Sequence, residues 1–439
     1  MRNKFKIFIF IAMILGLTGP LFGADDSVDD ALKNAMKDDN FVEDKKVRFK
    51  FKGQFKDLFT IVHTDQYIKT LPPVSDKLLV TNMKRLRLSG ELLVGTILTL
   101  HVDYDNEIYL SSFNNSVTFR GYNSPSQYND LVPMYWDLAH TDDILYRMKL
   151  LNAYAKIVLG PVTMTIGQQQ VRFGSGKLWN PLDILASISP TAVEGPEEQK
   201  GILAFRSDFY FNDKTELSFV YSQNRNANAF DTVSIADSNG VLRFKTTVWK
   251  FDLAFLGGWV ARRITAGGDI TVTLFDGIFR TAAVYFRPED GKHYVQVNAG
   301  YEYTIKKGPT LYLEYFFNSS SINNNADLAA SMLTASTGTM TQSDFNNVAA
   351  RVLTMNGHYL AFGGSWEFAA LWNGTAMLIY DIEGQGLFLT LGVSYNIIEN
   401  VNLSMGIMYG QVFDRAGYAS DFDAFHLKPF GYFALELHF

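Results

Sequence analysis

The chain has 439 residues, of which 47% are hydrophobic, 14% aromatic (22 Tyr and 35 Phe among them) and only 19% charged, with a formal net charge of −6. The sequence has no Cys, which excludes disulfides and thiolate metal sites, and its acidic balance argues against a nucleic-acid partner. After the N-terminus no apolar run reaches the roughly 20 residues a membrane-spanning helix needs, while a mean hydropathy of −0.01 is what strands that alternate apolar and polar side chains produce.

Arg2, Lys4 and Lys6 precede the apolar run Ile7–Leu17, and Thr18-Gly19-Pro20-Leu21-Phe22-Gly23 supplies a breaker and small residues before Ala24. Residues 1–23 therefore read as a secretory signal peptide cleaved on export, with a retained anchor helix as the alternative. Cleavage would remove those three cations and no acid, taking the formal charge from −6 to −9. Residues 24–45 form a short acidic segment with Val28, Leu32, Ala35 and Met36 on one helical face. They are expected in the periplasm, free or docked at a barrel mouth. The segment is too short for the globular plug of an energised transporter.

From Lys46 to the end the period is 2. Val47, Phe49, Phe51, Gly53 and Phe55 alternate with Arg48, Lys50, Lys52, Gln54 and Lys56; Leu86, Leu88, Leu92 and Val94 lie opposite Arg85, Arg87, Ser89 and Glu91; Leu98, Leu100, Val102 and Tyr104 lie opposite Thr99, His101, Asp103, Asp105 and Glu107. The form recurs at Leu151–Leu159, Val162–Ile166, Leu203–Phe211, Leu217–Tyr221, Trp249–Phe255, Ile270–Leu274, Phe279–Tyr285, Val295–Tyr303, Leu311–Phe317, Tyr359–Phe368, Thr375–Asp381, Leu387–Tyr395 and Val401–Tyr409. The last strand, Gly431–Phe439, places Phe433, Leu435, Leu437 and Phe439 on one face. Seventeen strands are legible in this way, with little amphipathic helix to cover them. The class is all-β, a transmembrane antiparallel β-barrel over residues 46–439. The closing strand resembles those of bacterial outer-membrane barrels, where a C-terminal Phe on such an alternation is read by the barrel assembly machinery.

Short links (Gly160-Pro161, Asn212-Asp213-Lys214, Ile397–Asn400) alternate with long polar ones (Phe113–Tyr146, Phe173–Lys200, Asn224–Phe244, Asn318–Asn356). That is the pattern of short periplasmic turns and long external loops. Parity from the two ends disagrees by one strand between Asn224 and Thr304, with Phe230–Ile235 or Trp259–Ile264 as candidates for it. Eighteen strands are expected, sixteen being the alternative. Barrels of either size enclose an aqueous channel.

Gly167-Gln168-Gln169-Gln170-Val171-Arg172-Phe173-Gly174-Ser175-Gly176-Lys177-Leu178-Trp179-Asn180-Pro181-Leu182-Asp183 breaks the alternation of Val162, Met164 and Ile166. It resembles a signature, Gly-x-Gln…Gly-x-Gly…Trp/Phe-Asn-Pro-x-Asp, of a group of porin-like bacterial outer-membrane proteins. Gly167, Gln169, Gly174, Gly176, Trp179, Asn180, Pro181 and Asp183 match, and Phe173 stands where Trp is common. Looser likeness continues at Arg287–Asp290, Tyr301–Tyr303 and Leu313–Phe316. The resemblance implies a barrel in the bacterial outer membrane and leaves the solute open. Physically, Gly174, Gly176 and Pro181 either fold loop Phe173–Lys200 into the mouth, with Arg172, Lys177, Asn180 and Asp183 as constriction candidates, or only end a strand and order an external loop.

Gly174-Ser175-Gly176 is not a nucleophile elbow and the seven His residues show no zincin spacing. No enzyme, metal or cofactor is expected. His101, Asp103 and Asp105 on one face read as a solvated strand face rather than a cation site. The function expected is passive diffusion of small polar or charged solutes through a lumen lined by the cations Arg48, Lys50, Lys52, Arg85 and Arg87 beside His101 and the anions Asp103, Asp105 and Glu107. Two other outcomes are that these stripes only pair and stiffen the wall, or that the barrel is a surface adhesin or an embedded hydrolase. Partners are the outer-membrane lipid, the assembly machinery and the solute, with homo-oligomerisation left open.

Overall fold

The computed structural model describes residues 47–63, 78–111, 114, 131–132, 134–185, 198, 201–224, 235–289, 293–321, 354, 356–413 and 420–439. The expected signal peptide and residues 24–45 lie outside the described residues. The strands are β1 (Val47–His63), β2 (Leu78–Val94), β3 (Leu98–Ser111), β4 (Tyr135–His140), β5 (Ile144–Leu159), β6 (Val162–Gln169), β7 (Ile202–Asn212), β8 (Thr215–Gln223), β9 (Ser238–Val248), β10 (Phe251–Val260), β11 (Arg263–Leu274), β12 (Gly277–Pro288), β13 (Tyr294–Thr304), β14 (Thr310–Asn318), β15 (His358–Ala369), β16 (Trp372–Asp381), β17 (Gly386–Ile398), β18 (Val401–Val412) and β19 (Phe430–His438).

Neighbours pair antiparallel in chain order, and β1 is hydrogen-bonded to both β2 and β19. The sheet thus closes on itself as an eighteen-stranded barrel. β4 stands outside that count: its six residues pair with the Leu145–Lys149 end of β5, on the edge that β6 takes from Ala153 onward. Closure is sealed by the chain terminus, where Gly53 N–H donates to the Phe439 carbonyl at 2.7 Å and Phe439 N–H returns to Gly53 at 2.9 Å. The bare Cα of Gly53 leaves room for the Phe439 ring, which would have to shift if a Cβ were added.

All seventeen strands legible in the sequence fall on barrel strands. The eighteenth is β9, so neither Trp259–Ile264, which straddles the β10–β11 turn, nor Phe230–Ile235, largely outside the described residues, supplies it. Accordingly the link Asn224–Phe244 is a shorter loop followed by strand. The tight hairpin at Phe275-Asp276 has both residues at positive φ (50° and 62°), the twist that suits two-residue turns between strands. Cross-strand register keeps one face apolar and outward, as in Phe251, Leu253 and Phe255 on β10 or Leu387, Leu389 and Leu391 on β17. The other face lines the lumen.

Candidate functional site

The lumenal face of β1, β2, β3 and β5 carries a compact ionic cluster. Arg87 holds Asp105 with two parallel bonds, Nε to Oδ1 at 2.7 Å and Nη2 to Oδ2 at 2.9 Å, the fork geometry that makes Arg–carboxylate pairs strong. Arg85 Nε donates to Glu107 at 2.8 Å, and Lys149 Nζ donates to the same carboxylate at 2.7 Å. Lys56, between them and the closing strand, lies 3.1 Å from Glu436. Register explains the set: Lys56 is opposite Arg85, Arg85 opposite Glu107 and Arg87 opposite Asp105, so alternation on three consecutive strands aligns cations against anions.

A further carboxylate comes from the loop between β6 and β7. Glu198 accepts from Arg85 Nη1 at 2.7 Å and Arg87 Nη2 at 2.6 Å, with Lys56 at 3.5 Å. Burial pushes the Glu198 carboxyl up, but Arg85, Arg87 and Lys56 outweigh it and hold the group below the usual carboxylate range. Four cations (Lys56, Arg85, Arg87, Lys149) therefore face four carboxylates (Asp105, Glu107, Glu198, Glu436). The cluster is formally neutral.

The same loop is seated on two other arcs of the wall. Val171, Phe173, Leu182, Ile184 and Leu185 are buried with lumenal residues of β7–β13, among them Ala204, Val220, Val241, Leu256, Ala282, Val284 and Phe286. Trp179, 1% exposed, stacks on Phe316 at 5.5 Å and meets Tyr359 at 5.8 Å. Glu314 on β14 accepts the backbone N–H groups of Lys177, Leu178 and Trp179 at 3.2, 3.3 and 2.7 Å, and Asn298 donates to the Trp179 carbonyl at 2.9 Å. Together these contacts turn the loop inward. Gly174 permits the bend: its φ is +84° and a Cβ would stand 2.1 Å from Asn180 Oδ1. Gln168 and Gln169, where the alternation fails, are both buried and donate to the carbonyls of Leu150, Leu151, Thr165 and Ala204.

Of the constriction candidates, Lys177 reaches the wall, whereas Arg172, Asn180 and Asp183 are tied within the loop. Arg172 Nε is 3.3 Å from Asp183, Asn180 Nδ2 donates to the Phe173 carbonyl at 2.6 Å, and Lys177 pairs with Glu302 while lying 4.8 Å from the Tyr312 ring centroid. Burial pushes the Asp183 carboxyl up to about 7 against the pull of Arg172 and the Phe173 N–H. Of the pore-lining candidates, Arg85, Arg87, Asp105 and Glu107 meet in the cluster. Arg48, Lys50 and Lys52 do not join it: they precede Gln54, the first β1 residue paired with β19, and Lys50 reaches Glu91 at 3.4 Å. His101 and Asp103 bond to each other at 2.9 Å, and Asp103 also accepts from Asn152 at 2.9 Å, whereas Asp105 turns to Arg87. The three side chains do not converge on one point.

Sequence reasoning placed Lys56 on the polar face of the first strand but left it out of the pore-lining set, and it missed Lys149, Glu436 and Glu198. Lys149 and Glu436 follow from extending the alternation to their own strands. For Glu198 the available signal was indirect, an apolar content in Val171–Leu185 that a solvated external loop would not carry.

No protein-family model matches the chain, and no curated protein is similar to it in sequence. Solved structures are similar in fold. The outer membrane protein OpdK of Pseudomonas aeruginosa is 10% identical with a TM-score of 0.54, covering 91% of this chain and 100% of its own. A second OpdK structure, also at 100% of its length and 11% identity, was solved with vanillate (TM-score 0.53, 91% of this chain). OccAB1 of Acinetobacter baumannii is 12% identical with a TM-score of 0.55, covering 92% of this chain and 98% of its own.

Proposed function

We propose that this protein is an outer-membrane channel for passive diffusion of small polar or charged solutes, reached by export with a cleaved signal peptide and assembled by the barrel assembly machinery. The observation that carries this reading is the closed barrel of eighteen strands with an apolar outer face and a charged inner one. Barrels of this size leave room for water, and water in place of lipid lowers the barrier to a polar solute without any catalytic group. The loop bearing Trp179 and Glu198, seated on the inner wall, narrows that path.

The OpdK structure solved with vanillate makes a small carboxylate the first solute to try. Arg85 and Arg87 already engage the Glu198 carboxylate, so an incoming carboxylate competes with Glu198 for the same donors. Swelling of proteoliposomes carrying the refolded mature chain tests the proposal. Swelling in an isotonic small sugar and in sodium vanillate is expected; vesicles that behave like protein-free lipid in both would overturn it.

A further inference from the structure

The outward face of the barrel is apolar through the middle of most strands, but not on β1 and β2. Along β1 the outward residues read Phe55, Asp57, Phe59 and Ile61; along β2 they read Leu86, Lys84, Asn82 and Val80, paired to them in that order. Asp57 and Lys84 form an ion pair with side chains 30% and 39% exposed, and Asn82 donates to the same carboxylate. The inward neighbours Lys56, Leu58, Met83 and Arg85 are all buried, so the pair belongs to the outer surface. The polar belt continues onto β3 and β5, where outward-facing Asn106 accepts from Tyr104 at 3.4 Å and Tyr146 at 3.2 Å.

This belt lies inside the apolar band. Asp57 is three residues past Gln54, which pairs with His438 at the end of β19, roughly 10 Å along a tilted strand and so about 7–8 Å up a band about 25 Å tall. Exposed apolar side chains flank it on both sides, Leu86 toward the short-turn end, Phe59, Ile108 and Leu110 toward the long-loop end. Charges in contact with hydrocarbon are costly at this depth. An ion pair with two amides across three consecutive strands is stable there if protein, not lipid, covers it.

We propose that this face is where a second copy of the chain docks within the membrane. The occupant is read from the charge pattern. One acid, one base and two amides make a patch complementary to itself, so a two-fold arrangement sets Asp57 of one copy against the partner's Lys84 and the reverse. The inference rests on the membrane reading above.

The chain has no Cys, so single cysteines report proximity cleanly. Phe59→Cys or Leu110→Cys in the full mature chain, expressed into outer membranes and treated with a short bismaleimide, should give a crosslinked dimer; Leu313→Cys on β14, across the barrel, should not. Adding Asp57→Leu and Lys84→Leu should abolish the dimer while heat-modifiability shows the barrel still folded. A folded, heat-modifiable chain that stays monomeric at both sites, crosslinks only to a protein of another size, or dimerises unchanged in the double-Leu background overturns the docking surface alone. Absence of a heat-modifiable species from the membrane fraction would overturn the membrane reading and this inference with it.

Discussion

Glu198 Oε2 lies 2.7 Å from Arg85 Nη1, joining a loop residue to a wall strand 113 positions earlier in the chain. The contact ties the cationic stripe to the loop that also carries Trp179. Glu198→Gln removes one negative charge from a neutral cluster and leaves the buried guanidiniums of Arg85 and Arg87 short of an acceptor, at a cost of about 1–3 kcal/mol. Conductance should rise as the loop loosens, and the reversal potential under a salt gradient should move toward anions. Arg85→Gln with Arg87→Gln should move it toward cations.

Trp179 anchors the same loop to β14 and β15. Truncation of a large buried aromatic costs about 3–5 kcal/mol, and here the loss falls on the loop's seat, because the wall is held by backbone ladders. Trp179→Ala should leave a heat-modifiable barrel whose loop is cut by protease faster than in the native protein, on the same outer-membrane preparation.

The buried carboxyl of Asp183 gives the loop a pH dependence. Its native value near 7 lies above the 3.8 of an unperturbed Asp, so over the interval between them the seated loop binds a proton that the released loop does not. The contribution of Asp183 to seating is then fully present below about pH 4, weakens as pH rises to 7 and is flat above it. Protease susceptibility should climb across that interval, and Asp183→Asn should remove the climb.

The inside and outside of the wall can be tested on β17. Leu391 faces outward at mid-strand, whereas its neighbour Thr390 faces the lumen. Leu391→Arg should cost roughly 2–4 kcal/mol if it sits near the bilayer midplane, and Thr390→Arg should be tolerated. Urea midpoints followed by heat-modifiability measure both; equal losses would contradict the assignment of faces.

Alternation made the barrel legible because each strand had to show lipid one face, and that constraint reaches to Phe439. β9 escaped because Ser238, Asn239 and Gly240 open it and Arg243 and Lys245 occupy its lumenal face, so only Leu242, Phe244 and Val248 mark the outer one. β4 escaped because it is six residues within a long link. The cations Arg85 and Arg87 and the anions Asp105 and Glu107 were legible as stripes, but their pairing depends on register, which periodicity within one strand does not contain. Glu198 was legible only indirectly: its partners Arg85 and Arg87 are 113 and 111 positions away, and only the apolar content of Val171–Leu185 marked a loop that packs on the wall. The outward pair Asp57–Lys84 went unseen because both residues lie just beyond the stretches, Val47–Lys56 and Arg85–Val94, whose alternation marked β1 and β2.

A channel must conduct through its lumen. Single-channel recording of the refolded mature chain in a planar bilayer under a salt gradient tests it most directly. Repeated, stable conductance steps with a reversal potential close to zero are expected, the small value following from the neutral balance of the Glu198 cluster. A folded, heat-modifiable barrel that inserts and never conducts would contradict the channel reading.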